Sequence, residues 1–209
     1  MAEAEGARTG LLVDFGGVLT TDVFAAFRAF CAAEGLPEQT VRDAFMRDDT
    51  ARNLLFELEL GTLPEPEFEE RFAAVLGVSS PKGLIGRIFA GMKAEPDMVE
   101  AVAAAHGAGV RTGLVSNSWG AGTAYDRSRF DELFDGVVIS SDEGIRKPDP
   151  AIYALGAQRI GRVPEQCVFV DDLPGNLKPA RAMGMATVHH VEVDRTIAEL
   201  EELLGVPLR

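Results

Sequence analysis

Residues 11–20 read LLVDFGGVLT. An apolar run ends on one carboxylate, Asp14, and within two residues the chain offers no side chain at all, at Gly16 and then Gly17. A strand that is apolar almost without interruption is one covered on both faces, as in a parallel sheet. An acid at the carboxyl end of such a strand stands where open α/β sheets bind their ligands. The glycines leave room beside it, permit a positive φ and let backbone amides approach an anion.

Four more runs share that character: VRTGLVS (110–116), GVVIS (136–140), CVFVD (167–171) and MATVHH (185–190). Helix signals follow the later ones, with Asp149 as N-cap ahead of Pro150, Asn176 ahead of LKPARAMG, and Asp194 ahead of RTIAELEELLG. The alternation predicts an α/β fold, a Rossmann-like doubly wound parallel sheet. Residues 16–109, by contrast, contain no good strand. They read as successive amphipathic helices. The first carries Val23, Phe24, Phe27, Phe30 and Cys31 on one face and stops at Gly35; PEQTVRDAFMR, TARNLLFELELG, EPEFEERFAAVLG and GLIGRIFAGM follow. PDMVEAVAAAHGAG (96–109) then returns the chain to the sheet. The expected division is a core of residues 9–20 plus 96–209 and an all-helical cap of residues 21–95. Inserted directly after the first strand, such a cap would lie over the ligand site as a lid.

Composition limits the functional classes. The 209 residues carry a formal charge of −13, which repels nucleic-acid backbones and anionic lipid. With 46% apolar and 25% charged residues the chain is an ordinary globular one, apart from MAEAEGA at the start, which has no apolar pattern. The N-terminus lacks a signal-peptide pattern and no apolar run approaches the ~20 residues of a membrane span, so a cytoplasmic protein is expected. Cys31 and Cys167 both lie inside apolar patterns and read as buried free thiols of a reducing compartment.

In a parallel sheet the strand ends converge. They deliver Asp14; Ser116, Asn117, Ser118 and Trp119; Asp142 and Glu143, followed by Lys147; and the pair Asp171, Asp172. Carboxylates packed together repel unless a cation intervenes. Oxygen ligands of this type suit Mg²⁺, which takes one or two carboxylates and leaves other positions to water and a substrate phosphate. A carboxylate beside such an ion is a competent nucleophile toward phosphorus, giving an acyl-phosphate that water then hydrolyses. Lys147 offsets phosphoryl charge, and the Ser116 hydroxyl donates to a phosphoryl oxygen.

The motifs DFGGVL (14–19), LVSNS (114–118), GIRKPDPAIY (144–153) and VFVDDLPGN (168–176) resemble, in order, the four motifs of the haloacid dehalogenase superfamily. Within it, NSW (117–119) and DDLPGNLKPARAMGM (171–185) resemble the branch that includes the N-terminal phosphatase domain of soluble epoxide hydrolases. The resemblance implies a helical cap, Asp14 as nucleophile and bound Mg²⁺. It implies metal ligation by Asp14, the Gly16 carbonyl and Asp172, with Asp171 direct or through water. Gly17, Ser116, Asn117 and Lys147 would bind the transferring phosphate of a small phosphorylated metabolite. Trp119 would line the pocket, and Asn176 would stand behind the metal ligands.

In the superfamily's phosphatases the residue two beyond the nucleophile is usually a second Asp, the general acid and base. Here it is Gly16. The carbonyl survives and the carboxylate does not, which predicts a preference for good leaving groups. Asp22, Asp48 and Asp49 are candidate replacements, and Asp22 and Asp49 also read as helix-start residues. Two other functions fit parts of the pattern. One is a 2-haloacid dehalogenase, which attacks carbon without a metal, although a pair of acids at 171 and 172 would repel its carboxylate substrate. The other is a catalytically weakened phosphate-binding or regulatory protein. His189 and His190, adjacent on a strand, point to opposite faces and make no transition-metal site. Lys178 and Arg181 read as helix-surface residues.

Overall fold

Strands form where the unbroken apolar runs place them. In the computed structural model, which describes residues 8–120 and 129–209, β1 (Gly10–Val13) is the middle strand of five. β2 (Arg111–Ser116) and β3 (Gly136–Ile139) lie on one side of it, β4 (Cys167–Asp171) and β5 (Ala186–His189) on the other, in the order β3-β2-β1-β4-β5. Every neighbouring pair is parallel. The segment MAEAEGA lies outside the described residues.

Both faces of the sheet are covered, which explains the composition of β1. Leu11 and Val13 pack on Met98 and Val102 of α6 (Pro96–Gly107) and on Ile197 and Leu200 of α11 (Val193–Leu204). Leu12 points the other way, into Ile152 and Tyr153 of α9 (Pro150–Arg159) and Leu177 of α10 (Pro174–Ala182). All three β1 side chains are fully buried, each contributing roughly 1.5–3 kcal/mol of transfer free energy.

Five helices intervene between β1 and α6: α1 (Val23–Glu34), α2 (Thr40–Arg47), α3 (Asp49–Glu59), α4 (Glu65–Leu76) and α5 (Leu84–Ile88). They enclose their own apolar cluster, in which Phe27, Phe30, Leu54, Phe68, Phe72 and Ile88 are buried. The chain enters and leaves this insertion through two segments lying side by side. Thr20 bridges Ala94, the Thr21 amide donates to the Lys93 carbonyl (2.8 Å), and the Glu95 amide donates to the Leu19 carbonyl (2.9 Å).

Helix ends follow the expected chemistry in part. Asp22 caps α1 by accepting from the Phe24 amide, and Gly35 ends it in the left-handed conformation. Asp149 caps α9 with Pro150 in the first turn. Two expected caps are corrected. α10 starts at Pro174, which has no amide hydrogen to satisfy, so Asn176 lies inside the helix and its side chain is free for other work. α11 is capped by Glu192, which accepts from the amides of Asp194 and Arg195, and Asp194 sits in the first turn.

Candidate active site

The register of the sheet assembles the site. Val13 pairs with Leu114 on one side and Val170 on the other, so Asp14 and Asp171 leave adjacent strands together. The Asp14 amide still donates to the Val170 carbonyl (2.9 Å). β1 and β4 are the strands at which the chain order reverses, and ligands of open α/β sheets bind at that crevice.

Lys147 reaches this point from the loop between α8 (Ser140–Glu143) and α9. Its side chain is 1% exposed, with Nζ 2.8 Å from Asp14 Oδ1 and 2.7 Å from Asp171 Oδ2. Burial alone would depress its pKa, but the charges of the two aspartates and hydrogen bonds to both hold it above the ordinary lysine value. Asp171 is completely buried and also accepts from Asn176 Nδ2 (3.0 and 3.1 Å) and from the Leu173 amide (2.8 Å). Asn176 therefore orients Asp171, and Tyr153 Oη, donating to the Asn176 carbonyl at 2.7 Å, holds that turn in place.

The three aspartates offer carboxylate oxygens within 4.8 Å of one another. Burial raises the Asp14 carboxyl to about 6; Lys147 opposes that shift and Asp171 adds to it. Burial, then the charges of Asp14 and Asp171, raise Asp172 to about 7. One ammonium thus falls short of neutralising the cluster, and a hard divalent cation matches both the donor type and the missing charge. Gly16 lines the cavity at this spot, and neither its amide nor its carbonyl has a hydrogen-bond partner among the described residues.

Gly17 acts differently from expectation. Its amide donates to Thr20 Oγ1 (3.0 Å), and it is not among the residues lining the cavity. What it supplies is space, because at φ +75° a β-carbon would fall 2.6 Å from Asp172 Oδ2. Ser116 lines the cavity and is 2% exposed. The side chain of Asn117 is spent on Lys147, accepting from its amide (2.8 Å) and donating to its carbonyl (3.1 Å). Asp142 and Glu143 do not join the cluster: β3 ends at Ile139 and the chain turns into α8, where Glu143 pairs with Arg159. His189 and His190 bond separately, to the Asp172 carbonyl (3.0 Å) and Thr196 Oγ1 (2.9 Å).

Above the cluster is a cavity of about 290 Å³ between the sheet edge and the helical insertion. Phe24, Phe27, Phe45, Leu55, Phe89 and Trp119 make its wall mostly apolar. Trp119 belongs to the core chain yet packs into the insertion's cluster, 4.9 Å from Phe89 between ring centres. Asp22, Asp48 and Asp49 do not line the cavity. Asp22 and Asp48 cap α1 and α3, and Asp49 pairs with Arg52. The acid from the insertion that does line it is Glu59, 4% exposed and paired with Arg146. Burial lifts Glu59 to about 7 although Arg146 pulls it down. Its helical position could have revealed it, since it falls four residues after Leu55 and eight after Ala51, on the buried stripe of α3.

The haloacid dehalogenase-like hydrolase family matches residues 9–184, and the chain belongs to that family. Acyl-CoA dehydrogenase family member 10 of Mus musculus is 29% identical over 209 residues, covering 95% of this chain and 19% of its own length. Bifunctional epoxide hydrolase 2 of Sus scrofa is 32% identical over 135 residues, covering 62% of this chain and 24% of its own length. The chain thus spans a quarter or less of these two relatives. The sesquiterpene phosphatase astK of Aspergillus oryzae is 38% identical over 74 residues, covering 35% of this chain and 38% of its own. Among solved structures, the family enzyme BT-2542 of Bacteroides thetaiotaomicron, in complex with magnesium and inorganic phosphate, superposes with a TM-score of 0.66 at 20% identity. That match covers 89% of this chain and 95% of the other. The protein is a hydrolase of this family with phosphatases among its relatives, and no helix among the described residues is long and apolar enough to cross a membrane.

Proposed function

We propose that the protein is a Mg²⁺-dependent phosphomonoesterase acting on a small phosphorylated metabolite with an apolar body, in the cytoplasm, through an aspartyl-phosphate on Asp14. The observation that carries the proposal is Lys147, buried between Asp14 and Asp171 with the Asp172 carboxyl beside them. The astK relative, named a sesquiterpene phosphatase, and the magnesium and phosphate of BT-2542 support it. The buried free thiols Cys31 and Cys167 suit a reducing compartment.

Asp14 attacks phosphorus; the Asp14 O–P bond forms as the bond to the leaving oxygen breaks. Lys147, held protonated by two carboxylates, keeps Asp14 oriented and offsets charge on the phosphoryl oxygens, and Ser116 supplies a hydroxyl from the end of β2. Water then attacks the phosphorus, the Asp14 O–P bond breaks, and inorganic phosphate leaves. Magnesium, held by Asp14, Asp172 and the Gly16 carbonyl, with Asp171 direct or through water, would neutralise phosphoryl charge when bound. No carboxylate at Gly16 hands a proton to the leaving group, so good leaving groups are favoured. The helical insertion acts as a cap: Phe24, Phe27, Phe45 and Trp119 hold the apolar body and exclude bulk water.

A phosphate-release screen over a panel of monophosphates with Mg²⁺, run beside Asp14→Asn, tests this reading. Release by the wild type alone, abolished by EDTA, is the expected result. Chloride release from a 2-haloacid that persists in EDTA would instead establish a dehalogenase.

A further inference from the structure

Residue 59 fastens the helical cap to the loops that carry the phosphoryl site. It is the last residue of α3, and both its backbone and its side chain cross to the core. The Glu59 carbonyl accepts from Ser140 Oγ, which itself accepts from the Ser118 amide at 2.8 Å. The Glu59 carboxylate pairs with Arg146 Nε, and the Asn117 side chain lies near enough to it to favour its charged form. The Arg146 guanidinium lies 3.9 Å over the Phe56 ring of the same helix. Two residues beyond Glu59, Gly61 has φ +72° and runs so close to the Ser141 carbonyl that a β-carbon would lie 2.5 Å from its oxygen.

The anchor points on the core are the residues that set Lys147. Asn117 holds the Lys147 amide and carbonyl together, Arg146 precedes Lys147 in the chain, and the Lys147 ammonium touches Asp14 and Asp171. Trp119, two residues after Asn117, is gripped from the other direction by Phe27, Phe45 and Phe89 of the cap. One short loop is thereby held at Ser118 by Glu59 through Ser140 and at Trp119 by cap aromatics, with Asn117 between them beside the Glu59 carboxylate.

We propose that Glu59 is a positioning residue: acting through Asn117 and Arg146, it makes the placement of Lys147 depend on the docked cap, so that the phosphoryl site is complete only when α3 is seated. A substrate body that contacts the cap aromatics then favours docking, and its binding energy is expressed at the phosphoryl centre instead of in affinity alone. Removing the carboxylate leaves the Arg146 guanidinium in a largely apolar contact with Phe56 and takes a charge away from beside Asn117.

The kinetic half of the test rests on the phosphatase reading; the structural half does not. Glu59→Gln keeps the size and a hydrogen-bond acceptor but loses the ion pair. With p-nitrophenyl phosphate and Mg²⁺, we expect kcat to fall about 10- to 100-fold with KM changed far less, as for a catalytic group displaced by a fraction of an ångström to an ångström. Amide hydrogen exchange, measured without substrate, should speed up at Lys147, whose amide is bonded to Asn117, while amides of α10 stay unchanged. Equal kcat in wild type and variant, or a kcat loss accompanied by faster exchange throughout the molecule, overturns the inference. If the wild type hydrolyses no ester, the phosphatase reading fails, and local acceleration at Lys147 still decides the role of Glu59: its presence supports the inference and its absence overturns it. Glu59→Asp supplies the rescue arm, because a shorter carboxylate that regains Arg146 should recover part of kcat, and no recovery beyond Glu59→Gln counts against the ion pair.

Discussion

Gly17 and Asp172 are in direct steric relation: a methyl group at position 17 would overlap the Asp172 carboxylate, its carbon 2.6 Å from Oδ2. The second glycine of the opening motif thus sets where an acid from the neighbouring strand β4 can stand. The φ of +75° adds a conformational cost of roughly 1–2 kcal/mol for any L side chain. Gly17→Ala should therefore lower the melting temperature and weaken Mg²⁺ binding at least several-fold, both readable by calorimetry. A variant that binds Mg²⁺ as tightly as the wild type would remove Asp172 from the proposed ligand set.

Gly16 is the contrasting case. Its φ is not in the left-handed region, and a β-carbon would meet only Val23 Cγ2, at 3.2 Å, the end of a side chain that can give way. Gly16→Asp thus meets no backbone at its β-carbon and restores the usual acid of the family's phosphatases. Supplying general acid catalysis is worth roughly 10²- to 10⁴-fold where protonation limits the rate. The gain should appear with an alkyl phosphate and be small with p-nitrophenyl phosphate, whose leaving group needs no proton. Comparing kcat/KM for the two esters measures it, and equal gains on both would contradict a leaving-group role for this position.

How much was legible in the sequence depended on whether a residue's role follows from its own element. β1 and β4 could be read because burial on both faces demands unbroken apolar runs, and Asp14, Asp171 and Lys147 followed as groups at strand or loop ends. Asn176 reads as a cap from its own element, and only the family resemblance puts it behind the metal ligands, because its partner, Asp171, is chosen by the tertiary fold and not by the helix start. Glu59 escaped notice for the same reason. An acid in a charged amphipathic helix looks solvated until α3 is docked against Asn117 and Arg146. Asp142 and Glu143 are the opposite case: the run GVVIS extends one residue past the end of β3, and a helical turn carries the two acids away from the site.

Lys147 neutralises two buried acids, so its removal is costly. Lys147→Met leaves Asp14 and Asp171 adjacent without a counter-charge, and breaking a buried ionic network in this way costs about 3–5 kcal/mol. Urea denaturation should show that loss in EDTA and a smaller one in saturating Mg²⁺, which replaces part of the positive charge. Catalysis should be abolished under both conditions. Equal loss of stability with and without Mg²⁺ would place the metal away from these carboxylates.

The same crowding gives the metal-free protein an unusual pH dependence. Asp14, Glu59 and Asp172 have folded values of about 6, 7 and 7, above their unfolded values of 3.8, 4.5 and 3.8. Each raised carboxyl therefore binds its proton more tightly in the folded state. Its contribution to stability is fully present below the unfolded value and is lost as pH rises through the folded one. Between about pH 4 and 8 these three groups should make the melting temperature fall with rising pH in EDTA. Saturating Mg²⁺ should flatten most of that slope, because Asp14 and Asp172 are then ionised at all these values, and Glu59→Gln should remove the remainder. Differential scanning calorimetry across the range, in EDTA and in Mg²⁺, separates the contributions. A slope of the opposite sign in EDTA would show that these carboxyls are not raised, and a slope that Mg²⁺ leaves untouched would show that the two aspartates do not share a cation.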